Sequence, residues 1–358
     1  MVAIVKRCRS AISSNLSMKP VDFSQPPLHG GDLERAQGAF SQTDSSHSCE
    51  PWLDLSAGLN PNPWPIPSIP NEYFARLPEG YTSLLRVAGQ YYQQPSVYPV
   101  NGSQQIIELL PRLRPFSVIA VPTTGYAEHA WCWHKSGHQV KSYQEDSLEQ
   151  VAKQSDVVIV INPNNPSGRL YSRQELLLAQ QELAKKGGWL IVDEAFMDAL
   201  TDDQRMNCSI SKNAQLPGVF VLRSVGKFFG LAGIRSGFVL SAPENIHWIK
   251  KQLGPWHLSG TTSFLTEKML ADTTWQQQSR KRLQASMLLQ EQALDGLGEK
   301  IGSTPLFYTC YHPDAKDVQK KLAQQGVWVR YFAQESWLRF GLTDNESELE
   351  RLSLALKY

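Results

Sequence analysis

Seven short runs, at 97–100, 117–121, 138–143, 156–161, 189–193, 219–223 and 237–240, recur through the middle of this chain of 358 residues and limit its fold more than any other feature. Most are dense in Val, Ile, Leu and Phe, and all are too brief for a core helix, so they read as buried strands. Amphipathic stretches at 103–113, 126–135 and 173–186 separate several of them. Strand–helix–strand alternation of this kind specifies an α/β architecture, a mostly parallel seven-stranded sheet sandwiched by helices. Ligands of such sheets bind beyond the carboxyl ends of the strands. The residues that follow each run are therefore where chemistry is to be sought.

The two flanks read differently. After residue 241, helical stretches at 243–252, 262–272 and 274–297 lead to strands at 306–311, 327–332 and 336–341 and helices at 315–325 and 346–357, a smaller α+β unit. Before the first run, a helix is expected over 79–93. Residues 21–70 are rich in Pro, Gly, Ser and Asn and cannot build a core, so they should lie extended over something else, with one short helix at 32–40. The expected organisation is an N-terminal extension and arm over 1–70, a large domain over 71–241 and a small C-terminal domain over 242–358. Lys6, Arg7 and Arg9 are followed by no adequate apolar stretch. A disordered extension, or a chain start at Met18, is expected in place of a targeting signal.

Composition removes several function classes. A formal net charge of +1 gives no reason to expect a nucleic-acid or membrane partner. No apolar run reaches the roughly 18 residues of a membrane span. Cys8, Cys49, Cys132, Cys208 and Cys310 are scattered, with no C-x-x-C pair and no zinc-ligand spacing. Reduced thiols in a cytoplasmic protein without a metal site are the expectation.

The stretch Ser224 to Arg235 follows one of the buried runs and is punctuated by Gly226, Gly230 and Gly233. Burial of Lys227 there disfavours its ammonium form, and a deprotonated amine forms a Schiff base with an aldehyde. Ser224 and Arg235 suit a phosphate dianion. Together they describe a site for pyridoxal phosphate. Gly102, Ser103 and Gln104 stand between a strand and a helix, where backbone N–H groups bind anions. Asn165 lies in the stiff turn Asn162-Pro-Asn-Asn-Pro-Ser-Gly168, and Asp193 ends a strand, where a carboxylate can pair with a pyridine nitrogen. Tyr126 opens the helix after Pro122, and Arg330 and Arg339 lie on strands of the small domain, each a planar guanidinium suited to carboxylate or phosphate. Each motif alone has a plainer reading: a surface lysine, a turn, a packing tyrosine, a solvated strand arginine. Their order along one sheet is what gives them weight.

That ordered set resembles the aspartate-aminotransferase-like (fold type I) pyridoxal-phosphate enzymes, from about His29 to the C-terminus. The resemblance implies a large domain with a mostly parallel seven-stranded sheet, a smaller α+β domain and a homodimer. It assigns Gly102, Ser103, Gln104, Ser224 and Arg235 to the cofactor phosphate, Tyr126 to its ring face, Asn165 to its phenolic oxygen, Asp193 to its ring nitrogen and Lys227 to its aldehyde. It gives Arg339 the substrate carboxylate and Arg330 a substrate phosphate. His29-Gly-Gly and Leu53-Asp-Leu-Ser-Ala-Gly-Leu-Asn-Pro61 look like the arm of one branch, the threonine-phosphate decarboxylases of cobalamin synthesis, which implies His29 and Asn60 as substrate contacts. The implied reaction is loss of CO2 from L-threonine O-3-phosphate, with Lys227 returning a proton to Cα. The alternative is a histidinol-phosphate aminotransferase. Phe196, where aminotransferases commonly carry Tyr, favours the decarboxylase branch. Two further departures stand out: Leu77 replaces a tyrosine that reaches the neighbouring subunit's cofactor phosphate, with Tyr81 a conceivable substitute, and Ser236 replaces an aliphatic residue.

Overall fold

The computed structural model describes residues 19–24, 26, 27, 30–40, 51–144 and 147–357. Residues 1–18, including Met18, and His29 lie outside them. In chain order the strands are β1 (Lys19–Pro20), β2 (Leu53–Leu55), β3 (Val97–Val100), β4 (Val118–Pro122), β5 (Gln139–Tyr143), β6 (Val157–Ile161), β7 (Trp189–Asp193), β8 (Val219–Ser224), β9 (Gly237–Ser241), β10 (Glu299–Thr304), β11 (Phe307–Tyr311), β12 (Val327–Phe332) and β13 (Trp337–Gly341). The large sheet runs β1-β5-β4-β6-β7-β8-β9-β3. Strands β4 to β8 are mutually parallel, and β9 is antiparallel to both its neighbours. The seven strands read from the sequence are all present, and the two-residue β1 adds an antiparallel edge beside β5. Nothing in its Lys-Pro sequence announces it.

Two apolar cores flank this sheet, because strands buried on both sides alternate their side chains between them. Ile191, Phe220 and Leu222 pack with Ile106 and Trp133 on one side. Val192, Val219 and Val221 pack with Tyr92, Phe228, Phe307 and Leu338 on the other. The register pairs Asp193 with Leu222, so Asp193 and Ser224 face the first side and Arg223 the second. Arg223 donates to Glu194 and Asp198 there, all three buried. This ion cluster ties the ends of β7 and β8 from behind.

The small sheet runs β10-β11-β13-β12-β2. Two of its strands are not evident in the sequence. β10 lies at the edge, where Glu299-Lys-Ile-Gly-Ser-Thr304 lacks strand alternation and bulges between Lys300 and Gly302. β2 belongs to the arm: Leu53 and Leu55 are buried, and the strand pairs in parallel with β12. The expected extended arm is thus completed by an edge it can join. The short helices Leu33–Phe40 and Leu148–Gln154 complete the inventory needed here; the second was not read from sequence. Proline at position 111 turns the end of the expected 103–113 helix into a 3-10 segment after Leu109.

Candidate active site

The ends of five strands of the large sheet, β3, β4, β6, β7 and β8, carry the candidate residues. Asp193, at the end of β7, is 3% exposed. The Nε2 atom of buried His129 lies 2.9 Å from its Oδ2, and the Ala195 N–H donates to its Oδ1 at 3.1 Å. His129 was not among the residues singled out from sequence. Its available signal was the three-residue step from Tyr126, which places both on one side of the helix start. Tyr126 donates its hydroxyl to Gln104 Oε1 at 3.1 Å, and Gln104 Nε2 donates to Glu128 Oε2 at 3.1 Å. Burial first, then Glu128 and Asp193, raise the Tyr126 phenol well above its ordinary value, so it stays neutral. The Gln104 side chain therefore steadies Tyr126, which leaves its backbone N–H for an anion.

The anion cradle follows from two glycines. Gly102 has φ +71°, and a Cβ there would stand 2.7 Å from Arg235 Nη2. A Cβ at Gly237 would stand 2.8 Å from the Ser103 nitrogen. Only glycine lets the start of helix Ser103–Leu109, the Arg235 guanidinium and the β8–β9 ladder come this close. Arg235 itself holds the left-handed conformation, φ +53°, and donates to the Ala232 carbonyl. Ser224, paired with Gly237, lies in the same ladder. Free N–H groups of a first helical turn, a hydroxyl and a guanidinium suit a phosphate dianion.

Lys227 sits in the short helix Val225–Phe228 that follows β8. Burial, and then the neighbouring Arg339, lower its amine to about 8, against the pull of Asp193. Its Nζ is 5.9 Å from the centre of the Phe196 ring.

Opposite stands the small sheet. Arg330 and Arg339 face each other directly across β12 and β13. Arg339 is 5% exposed; it donates through Nη1 to Asn165 Oδ1 and through Nη2 to the Ser56 carbonyl. Both acceptors are neutral. Its Nε is buried with no hydrogen-bond partner among the described residues. Burial, and then Arg330, push Arg339 down to about 9, with Asp54 opposing. Like charges directly across a ladder are destabilising. Arg339, with neutral acceptors and an unpartnered Nε, is chemically suited to a ligand that brings negative charge.

The arm closes the site from a third direction. The Gly31 N–H donates to Ser56 Oγ at 2.8 Å. A Cβ at Gly30 would stand 2.5 Å from the Ser56 carbonyl oxygen and 3.6 Å from Arg339 Nη2. Gly30 thus lies against Ser56 and Arg339, and Gly31 is tied to Ser56. Asn60, expected on the substrate, is placed otherwise. Its Nδ2 donates to the Phe228 carbonyl at 2.8 Å and to Ser279 Oγ at 3.0 Å, and its N–H donates to the Lys227 carbonyl at 3.0 Å. Its Oδ1 accepts from the Asn62 N–H. With these bonds made at 2% exposure, Asn60 holds the lysine turn and has no donor left for substrate.

The departures have local reasons. Ser236 is buried and accepts a hydrogen bond from Thr266 at 2.8 Å. Phe196 stacks edge-on against Phe307, 5.1 Å between centres. Leu77 is 62% exposed. Tyr81 does not take over for it within this chain, because its hydroxyl donates to the Leu258 carbonyl and accepts from the Leu258 N–H.

The residues fit pyridoxal phosphate on their own chemistry: a depressed lysine, a carboxylate held by His129, and a glycine cradle open to a phosphate. Among the described residues no cluster of His, Cys, Asp and Glu could hold a metal ion. The model of the aminotransferase class I and II family matches residues 77–356. A threonine-phosphate decarboxylase of Pseudomonas aeruginosa is 39% identical over 92% of this chain and 96% of its own length. One from a Sinorhizobium species is 34% identical over 93% and 98%. The fold is also that of a histidinol-phosphate aminotransferase from Sinorhizobium meliloti, solved with pyridoxal-5'-phosphate, at a TM-score of 0.75 and 18% identity over 93% of this chain and 94% of that one. The chain belongs to the class I and II aminotransferase family, on the branch that holds the threonine-phosphate decarboxylases.

Proposed function

We propose that this protein removes CO2 from L-threonine O-3-phosphate to give (R)-1-amino-2-propanol phosphate, a step of cobalamin biosynthesis. The observation that carries this reading is the Arg330–Arg339 pair, two cations side by side on the small sheet, facing a lysine lowered to about 8. A substrate with both a carboxylate and a phosphate matches them. The names of the relatives at 39% and 34% identity support the same substrate.

The cofactor is pyridoxal phosphate, which supplies a sink for the electron pair left when CO2 departs. The chain does the positioning. Lys227 would hold the cofactor through its aldehyde, while Gly102, Ser103, Gln104, Ser224 and Arg235 receive its phosphate. Asn165 would serve its phenolic oxygen, Asp193 its ring nitrogen and Tyr126 its ring face. Arg339 would take the substrate carboxylate, and Arg330 with His29 the substrate phosphate. An amine near 8 can both give and take a proton around neutral pH, so Lys227 is suited to return one to Cα.

We take residues 71–241 as the cofactor domain, 242–358 as the small domain and 1–70 as the arm, in a cytoplasmic homodimer. Ile66, Phe74 and Leu77 on one segment, and Trp256 beside the Leu258 turn that holds Tyr81, are 57%, 66%, 62% and 57% exposed. Apolar surface of this kind marks a partner face, and Leu77 stands where relatives reach across to a second subunit. No helix among the described residues is long and apolar enough to cross a membrane.

The test is a product assay. Purified protein with pyridoxal phosphate and L-threonine O-3-phosphate, without an oxo-acid acceptor, should release CO2 and aminopropanol phosphate in equal amounts. Activity confined to histidinol phosphate plus 2-oxoglutarate would move the protein to the aminotransferases.

A further inference from the structure

Residues 56–60 join the two groups that must be aligned for decarboxylation. At one end, fully buried Ser56 accepts from Arg339 Nη2 through its carbonyl, while its N–H donates to Asp54 Oδ1 at 2.9 Å. At the other end, Asn60 binds the carbonyls of Lys227 and Phe228. The segment between has no slack. A Cβ at Gly58 would stand 3.0 Å from Phe196 and 3.1 Å from Phe307. A Cβ at Gly341 would stand 2.4 Å from the Ala57 carbonyl oxygen, and one at Gly230 2.6 Å from that of Asn60. Gly341 of β13 thus presses on the segment near its start and Gly230 on its end at Asn60, while Gly58 within it leaves no room toward Phe196 and Phe307. Ser279, next to the Arg280 that donates to the Asp198 carbonyl, anchors the Asn60 amide from the second core.

We propose that residues 56–60 set reaction specificity, as a rigid spacer that fixes where Arg339 stands relative to Lys227. The inference rests on the decarboxylase reading above. The bond that breaks at Cα is the one held perpendicular to the cofactor ring. Lys227 would hold the cofactor and Arg339 the carboxylate, so their relative position would decide between two outcomes. In the first, the Cα–carboxylate bond breaks, CO2 leaves, and the electron pair left on Cα is quenched by a proton to give the amine. In the second, a substrate that loses its Cα proton to Lys227 leaves as the 2-oxo acid. When bound, pyridoxal phosphate would supply the acceptor for that amino group and its electron pair, and water the keto oxygen. Ser56, Gly58 and Asn60 act through Arg339 and Lys227, and are positioning residues.

The experiment measures CO2 and 2-oxo acid in the same sample, from holoenzyme in excess over L-threonine O-3-phosphate. It also follows loss of the cofactor's visible aldehyde absorbance, which only the second outcome consumes. Gly58→Ala pushes the spacer off Phe196, Asn60→Ser releases the lysine turn, and Ser279→Ala removes only the hydroxyl that anchors Asn60. Displacements near 1 Å change rates by about 10²-fold, and all three variants are expected to raise the ratio of oxo acid to CO2 by about tenfold or more. Ser279→Ala keeps the test valid should the arm variants fail to fold. Loss of total activity with an unchanged ratio in the folded variants overturns the spacer role, since a merely structural defect lowers both products together. Wild-type protein that releases no CO2 overturns the functional reading, and this inference with it; a normal wild type beside unchanged variants overturns this inference alone.

Discussion

The two halves of the site are built on opposite terms. On the large sheet the groups expected beside the cofactor ring already have protein partners: Asp193 has His129 and the Ala195 N–H, and Tyr126 has Gln104, which has Glu128. On the small sheet two guanidinium groups face each other, and Arg339 keeps its Nε unpartnered and reaches only neutral acceptors. The first half is a preorganised seat, whose electrostatics are set before anything binds. The second leaves the buried Arg339 hydrogen-bonded to neutral acceptors, a position suited to a ligand that brings negative charge. Substitutions in the seat should therefore damage cofactor retention and catalysis together, whereas substitutions opposite should act on substrate alone.

The largest expected effect tests the seat. Lys227→Ala should cut CO2 release by on the order of 10⁴-fold or more and abolish the visible absorbance that pyridoxal phosphate gives the wild type. An unchanged spectrum would remove Lys227 from the site. Arg339→Met comes next, with a loss in kcat/KM of about 10² to 10³-fold, the size of breaking a buried charge-assisted contact, and with the cofactor spectrum intact. A spectrum lost together with the activity would erase the division between the halves. Arg330 is smaller again. Arg330→Met should raise KM for the phosphorylated substrate about 10 to 100-fold and leave kcat within about threefold. A fall in kcat at constant KM would instead place Arg330 beside the reacting atoms.

The same division explains what could be read in the chain. Residues of the seat follow strands of the large sheet, so Asn165, Asp193, Ser224, Lys227 and Arg235 are recognisable once the runs before them are seen as strands. A strand buried on both sides leaves one end at the ligand crevice, and the sequence after it has little freedom. What was not legible depends on contacts between distant elements. His129 meets Asp193 from a helix 64 residues earlier. Ser56 matters only because β2 leaves the arm to pair with β12. Asn60 was placed on the substrate because its segment resembles a substrate-covering arm, but Gly230 lets its backbone sit against the lysine turn, and its amide bonds there. Local patterning specifies which residues stand at strand ends; it does not say which face of a proline-rich arm docks.

The smallest effect is thermodynamic, and sharpens the contrast further. Lys227 carries an amine lowered from 10.5 to about 8, first by burial and then by Arg339. Between those two values the folded chain binds fewer protons than the unfolded one, so stability rises with pH across that window. Below about 8 the full cost of keeping a charge beside Arg339 is present; above 10.5 it is gone. At about 1.4 kcal/mol per pH unit, the upper bound is about 3 kcal/mol. Cofactor-free Lys227→Met should then melt above cofactor-free wild type at pH 7, and the gap should close as pH approaches 10.5. An equal gap at both ends would mean that methionine stabilises by packing alone. A gap that closes as expected would show the lysine held in a field that opposes its charge, which is the condition under which an amine can meet an aldehyde at neutral pH.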